Sequence, residues 1–226
     1  IINYFLNYDN ISIINFSLIE QKNKNKKIIY IEGDITNKKD IDKLNEYKFD
    51  YIFHQAALVD TTVTDKNIML DTNTYSLKTI LDLTKKNNSI LVYASSAATY
   101  GNTKPPNIVG INETPTNIYG KSKLMMDKLA LKYIEDNQEL KIIGLRYFNV
   151  YGPGEEHKGN MSSMIYKLFK QMDNDINPKL FKYGEQKRDF VYIKDVVNAN
   201  IKASLSNKSG IYNIGNGESR SFNDIV

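Results

Sequence analysis

The feature that most constrains this chain is an alternation of short apolar runs with stretches of helical apolar spacing. Residues 11–16, 28–32, 50–54, 89–94 and 140–145 read as strands. They are near-continuously apolar, which strands need when both faces of a sheet are covered. Between them, residues 38–47, about 65–86 and 117–137 carry apolar side chains at helical spacing, such as Ile41 with Leu44. Strands separated by helices imply crossover units and a parallel sheet, so the expected fold is a doubly wound α/β domain. Residues 20–27 read as a solvated connector, and no internal repeat is visible.

After Arg146 the texture changes: Gly152, Pro153, Gly154 and Gly159 interrupt the chain. Short strands at 179–183 and 190–193 then alternate with helices at about 162–173 and 195–205. The expectation is a dinucleotide-binding domain over residues 1–150 and a smaller substrate lobe over 151–226, with elements that return to the main sheet. A ligand would lie in the cleft between them.

A doubly wound dinucleotide fold opens with a strand and a Gly-rich turn that cradles a pyrophosphate at a helix N-terminus. No glycine precedes Gly33, and the first seven residues read as helix interior. The expectation is that the first strand and the cradle lie outside this sequence.

Several classes of function are disfavoured. The net charge of +4 comes from scattered lysines, with no basic, aromatic-laced stripe suited to nucleic acid. The absence of cysteine excludes disulfides, thiolate zinc sites and cysteine nucleophiles, and it fits a reducing compartment, so a cytoplasmic location is expected. No metal site is expected. The longest apolar runs are far shorter than a membrane span, and the N-terminus lacks the features of a signal peptide.

The chemistry is carried by Tyr-x-x-x-Lys, which on a helix puts both side chains on one face. A neighbouring ammonium favours tyrosinate, so the Tyr can exchange a proton with a substrate hydroxyl. The pattern occurs four times, at Tyr100/Lys104, Tyr119/Lys123, Tyr166/Lys170 and Tyr183/Lys187. Pro105 and Pro106 argue against a helix across the first, Gly184 places the last in a turn, and no serine-bearing strand end precedes the third. Tyr119/Lys123 begins a predicted helix and follows Tyr93-Ala-Ser-Ser-Ala-Ala-Thr-Tyr-Gly101 at a strand end. A serine there can hydrogen-bond the substrate hydroxyl and the Tyr together; on their own, Ser95 and Ser96 would be turn or cap residues.

These strings, with His54-Gln55-Ala56-Ala57 and Arg146-Tyr-Phe-Asn-Val-Tyr-Gly-Pro153, resemble the extended short-chain dehydrogenases/reductases. The resemblance implies Ser96, Tyr119 and Lys123 as catalytic residues. It implies a cofactor site formed by Asn15, Asp34, Ile35, Gln55, Ala56, Ala57, Leu58, Asn73, Lys123 and Val150. Asn15 and Ser17 are neutral where an acid would favour NAD, so NADP is expected, with NAD possible. Asp34 also reads simply as a cap for the helix that follows, and Asp195 as another.

The string Gly154-Glu-Glu-His-Lys-Gly-Asn-Met-Ser-Ser163 is similar to that of the ADP-L-glycero-D-manno-heptose 6-epimerases. In that family the lysine, here Lys158, is understood as a second base. Hydride leaves carbon 6 of the heptose and returns on the opposite face, and two faces call for two proton carriers. The same resemblance implies an ADP-sugar pocket lined by Ser96, Asn149, Asn160, Lys167, Phe181, Gly184 and Arg188, in a homo-oligomer. Lys167 stands where His is common and Asn160 where Ser is common. Arg188, in Gln186-Lys-Arg-Asp-Phe-Val-Tyr-Ile-Lys-Asp195, would grip the diphosphate with its planar fork; otherwise it is a surface Arg beside Asp189. Two alternatives stand beside this reading: another UDP- or dTDP-sugar epimerase or dehydratase, and a non-catalytic Rossmann-like binding protein. A dehydratase would carry an acid pair near the Ser or the Tyr, where Glu113 is the only nearby carboxylate.

Overall fold

The computed structural model describes residues 1–19, 24–60, 63 and 65–226; the first half of the expected connector, residues 20–23, lies outside the described residues. The chain opens with α1 (Ile2–Phe5), whose Phe5 ring packs on Phe53, 5.6 Å between centroids. Strands β1 (Ile13–Ser17) and β2 (Ile28–Glu32) pair in parallel as a separate two-stranded ladder. Their inward Phe16 and Ile31 pack on the main core. Helix α2 (Lys38–Asp42) is capped by Asn37, whose side chain accepts from the Lys39 amide. Asp34 is therefore not that cap. It closes its own turn instead, accepting from the Thr36 amide and hydroxyl, both at 2.8 Å.

The principal sheet runs β3 (Tyr51–His54), β4 (Ile90–Ser96), β5 (Lys141–Tyr147) and β8 (Gly210–Ile214), all parallel. Alternation along β4 serves two cores. Leu91 and Tyr93 join Leu77, Leu81, Met126 and Ile142 on one face, while Val92 joins Ile143 and Leu145 on the other. Both faces are covered by helices, so strand sequences that read as unbroken apolar runs are the expected solution. Each such fully buried side chain contributes on the order of 1.5–3 kcal/mol.

The long helix expected over 65–86 is present but interrupted. It runs as α3 (Lys66–Leu70), a π turn over Asp71–Tyr75, and α4 (Ser76–Asn87), which ends on left-handed Asn88. A π turn inserts one residue into the helical ladder and re-aims the side chains on it. Helix α5 (Ile118–Asp136) follows its Asn117 cap and lies against β4 and β5.

A second ladder sits beside the carboxyl ends of the first: β6 (Asn149–Tyr151) pairs with β7 (Lys187–Tyr192) in parallel, and β9 (Ser219–Ser221) pairs antiparallel to β7. Helix α6 (Met164–Asp173) lies between these strands in sequence. Helix α7 (Ile193–Ser204) begins directly after β7, so Asp195 falls inside its first turn and not at its cap. There its charge faces the positive helix end. No strand forms over 179–183. Phe181 and Tyr183, two residues apart, mimic strand alternation, but Tyr183 takes φ 60° and Gly184 φ 75°, closing a single 3₁₀ turn at Lys182–Gly184. Among the described residues no helix is long and apolar enough to cross a membrane.

Candidate functional site

Parallel strands present their carboxyl ends along one edge, where doubly wound sheets take ligands. On that edge β4 ends at Ser96, and its hydroxyl caps the 3₁₀ turn Ala97–Tyr100 by accepting from the Ala98 amide at 3.1 Å. Helix α5 brings its first turn against this one. Gly120 makes the approach possible, because a Cβ there would sit 2.5 Å from the Ala98 carbonyl oxygen. Tyr119 is thereby set beside Ser96, whose hydroxyl faces its phenol. One turn on, Lys123 is 2% exposed and donates to the Ala94 carbonyl at 2.8 Å. Ser96, Tyr119 and Lys123 thus converge as the sequence predicts.

Their electrostatics differ from expectation. Burial pushes the Tyr119 phenol above its usual value, and the Ser96 hydroxyl only partly offsets this. The phenol is therefore a protonated acid in this state, not a tyrosinate. Burial also lowers Lys123, to about 8, against an opposing pull from Asp127. His54, at the end of β3, is fully sequestered; burial and the nearby Lys123 charge lower it to about 3, so it stays neutral, and its Nε2 has no hydrogen-bond partner.

Asn73 is wholly buried on the π turn. Its Oδ1 accepts from the Leu58 amide at 2.8 Å, and its Nδ2 donates to the Leu58 carbonyl at 2.9 Å and faces the Ser122 hydroxyl at 3.1 Å. Asn73 therefore brackets the turn after β3 and ties it to α5, and its own surface is closed to a ligand. Gln55 in that turn meets Asn200 of α7 and the Tyr147 hydroxyl, at 3.3 and 3.0 Å.

The residues present fit a nicotinamide dinucleotide. Exposed Gln55 and Ala56, with Ala57, leave a low surface at the end of β3. Asn15 and Ser17 line a depression with Lys24 and Glu32, and Asp34 lines another with Gly33 and Lys43. Glu32 adds a carboxylate to the depression at Asn15 and Ser17 that the reading of β1 alone does not show. Among the described residues no cluster of His, Asp and Glu could hold a metal.

The loop after β6 is built around Glu155, 5% exposed, which sequence reasoning did not single out. One oxygen accepts from the Gly152 amide and the Ser163 hydroxyl, the other from the Ser163 amide at 2.6 Å. The carboxylate staples both ends of the loop that displays exposed His157, Lys158 and Asn160. Lys167 donates to the Asn160 carbonyl at 2.7 Å, joining two residues of the predicted pocket. Among the described residues Lys158 makes no salt bridge, and no hydrogen bond links it to Tyr119.

In the second ladder Asn149 donates to the Asp189 carbonyl at 3.0 Å, and Val150 pairs with Val191. The Asp189 carboxylate accepts from the Asn216 and Gly217 amides, and among the described residues the half-buried Arg188 guanidinium donates to the Lys187 carbonyl alone. Arg188 is thus not the ion-pair partner of Asp189. Phe181 is 68% exposed, and buried Gly184 abuts Asn223, whose side chain a Cβ would meet at 2.0 Å.

The model of the NAD dependent epimerase/dehydratase family matches residues 4–215. A solved ADP-L-glycero-D-manno-heptose-6-epimerase from Helicobacter pylori is 46% identical, with TM-score 0.83, over 89% of this chain and 64% of its own. A UDP-N-acetylglucosamine 4-epimerase from Methanobrevibacter ruminantium M1, in complex with UDP-N-acetylmuramic acid, is 29% identical, with TM-score 0.79, over 88% and 65%. MoeE5, in complex with UDP-glucose and NAD, is 25% identical, with TM-score 0.84, over 100% and 74%. The chain thus spans just under two thirds of the first two proteins.

Proposed function

This chain belongs to the NAD dependent epimerase/dehydratase family, and on that footing we propose that it serves an epimerase inverting carbon 6 of ADP-glycero-manno-heptose. The observation that carries the reading is the grouping of half-buried Ser96 and Tyr119 with buried Lys123 at the carboxyl end of β4. A bound nicotinamide cofactor supplies the hydride acceptor and donor.

This chain's residues do the rest. Ser96 orients the substrate hydroxyl, and Tyr119 exchanges its proton. Lys123 supplies the positive charge that favours the phenolate once substrate excludes water. Gln55, Ala56, Ala57, Leu58, Asp34, Ile35 and Val150 hold the cofactor, with Asn73 acting through Leu58. NADP is favoured by neutral Asn15 and Ser17 with Lys24 in the same depression, while Glu32 opposes it.

Support for the heptose comes from the Glu155-stapled loop and from the similarity to the Helicobacter pylori enzyme. Lys158 acts from that loop as the proton carrier for the second face. Asn149, Asn160, Lys167, Phe181 and Gly184 line the sugar-nucleotide side, and Arg188 holds the diphosphate. The lobe is taken as residues 151–226, and the enzyme as a cytoplasmic homo-oligomer.

The test is to incubate the protein with NADP and ADP-D-glycero-D-manno-heptose and follow carbon 6 by proton NMR. Conversion to the L-glycero epimer, abolished in Tyr119→Phe and Lys158→Met, is expected. No conversion by folded, cofactor-loaded protein would reject this substrate.

A further inference from the structure

Beneath the Tyr119–Lys123 pair lies a run of buried charges that the proposed reaction does not use. Asp127 follows Lys123 by four residues on α5, so the two side chains stack one turn apart on the same face. Both are almost entirely buried, at 1% and 2% exposed. No direct salt bridge joins them; the lysine donates to the Ala94 carbonyl and lies 3.8 Å from the Met126 sulfur.

Asp127 is fixed from two strands. The Tyr93 hydroxyl of β4 donates to its Oδ1 at 3.0 Å, and Arg146 Nε of β5 donates to its Oδ2 at 2.8 Å. Arg146 is 1% exposed, lies 5.0 Å above the Tyr100 ring, and turns its other side to Glu113. Glu113 also accepts from the Gly110 amide, which anchors the loop that leads into α5. The cluster therefore holds two cations, Lys123 and Arg146, and two carboxylates, Asp127 and Glu113, whose formal charges cancel.

We propose that Asp127 is a positioning residue for the reaction: from one turn along α5 it keeps Lys123 cationic, while Arg146 and Glu113 keep Asp127 ionised and in place. Among the described residues, the groups around Lys123 leave no other candidate. Tyr119 on its own helix is a neutral phenol, His54 from β3 is neutral, β4 offers the Ala94 carbonyl, and Arg146 from β5 is a like charge. A buried ammonium with only a carbonyl and a thioether beside it is driven toward its neutral form. Burial does lower Lys123, to about 8, and Asp127 is the attraction that opposes it. Asp127 is itself raised by burial, with Arg146 and Tyr93 opposing that rise. Removing Asp127 would leave two cations sharing the single carboxylate of Glu113.

The consequence for turnover rests on the epimerase reading; the titration of Lys123 does not. The protein, labelled at the lysine ε-carbon, is titrated by NMR without substrate, with the Lys123 signal identified by its absence in Lys123→Met. Wild type is expected to titrate near 8. Asp127→Asn is expected to move the Lys123 midpoint down by about one unit or more, and Glu113→Gln to move it less, because of the two cations Glu113 contacts Arg146 and not Lys123. The alkaline limb of the pH–rate profile should move with the Lys123 midpoint, and Asp127→Glu should restore both.

An unmoved Lys123 titration in folded Asp127→Asn would overturn the proposal, even if turnover fell, and would leave the epimerase reading untouched. A moved titration in a protein that epimerises nothing would sustain the proposal and remove that reading. Where Asp127→Asn does not fold, Asp127→Asn/Arg146→Met removes the orphaned cation as well. The same downward shift, smaller in size, is then expected, and its absence overturns the proposal.

Discussion

Gly120→Ala tests how closely α5 must approach the Ser96 turn. Gly120 is buried in the first turn of the helix, and its amide donates to the Asn117 cap at 2.7 Å. An added Cβ would lie 2.5 Å from the Ala98 carbonyl oxygen and 3.0 Å from Pro115 Cβ. Close carbon–oxygen contacts settle at about 3.3 Å or more, so the two turns must part by roughly 0.8 Å. Overpacking of this kind costs about 1–3 kcal/mol, while replacing Gly by Ala inside a helix returns about 1 kcal/mol. The expected net loss is about 0–2 kcal/mol, a fall of at most roughly 8 °C in melting temperature. The effect on turnover should be larger in proportion, because the separation falls between Tyr119 and Ser96. A misplacement near 1 Å can cost about 100-fold, and a 10- to 100-fold fall in kcat with a folded protein is expected. Thermal melts and turnover on one preparation decide it. A rise in melting temperature, or kcat within about twofold of wild type, would refute the reasoning.

Three further outcomes follow from the same geometry. His54 is lowered to about 3 in the fold from an ordinary value of 6.5, so the unfolded chain binds the extra proton between those values. Stability is therefore lost as pH falls from 6.5 toward 3, by about 2 kcal/mol at pH 5; His54→Gln should flatten the change in urea midpoint between pH 7 and 5, and an unchanged slope would show that His54 is not its source. Asn73→Ala should cost about 2–3 kcal/mol in urea unfolding, because it strands the Leu58 amide and carbonyl; a loss under 0.5 kcal/mol would mean the bracket is idle. Arg188→Lys keeps the charge but loses the planar fork, so KM should rise about tenfold or more with kcat held; an unchanged KM would remove Arg188 from the diphosphate site.

Strands β3, β4 and β5 of the main sheet were legible as short apolar runs, and helices α5 and α7 because their apolar spacing is regular; β8 was not, because exposed Tyr212 and Asn213 interrupt its apolar run. The span 179–183 misleads for a physical reason: Phe181 and Tyr183 alternate with lysine as a strand would, but the backbone turns at Tyr183 and Gly184. The π turn that seats Asn73 has no signature in residue type, since Asp71–Tyr75 carries ordinary helical spacing. Ser96, Tyr119 and Lys123 were legible because a strand end and one helical turn fix them locally. The partners of Arg146 were not, because Asp127 and Glu113 lie 19 and 33 residues away and only the packing of α5 on β5 joins them. Glu113, weighed as a dehydratase acid, instead holds Arg146 and the Gly110 amide. Glu155 sat in plain view within the loop string, but its stapling depends on Gly152 and Ser163 folding back to the same carboxylate.

On the proposed reading, carbon 6 of an ADP-heptose is inverted by removal and return of the same hydride, with Tyr119 and Lys158 handling the hydroxyl proton on either face. The most direct measurement is the conversion run in deuterated water, with carbon 6 of the product read by NMR. The expected result is an L-glycero product that keeps protium at carbon 6. Deuterium at carbon 6 would contradict it, because the hydrogen would then have come from solvent through a deprotonated carbon.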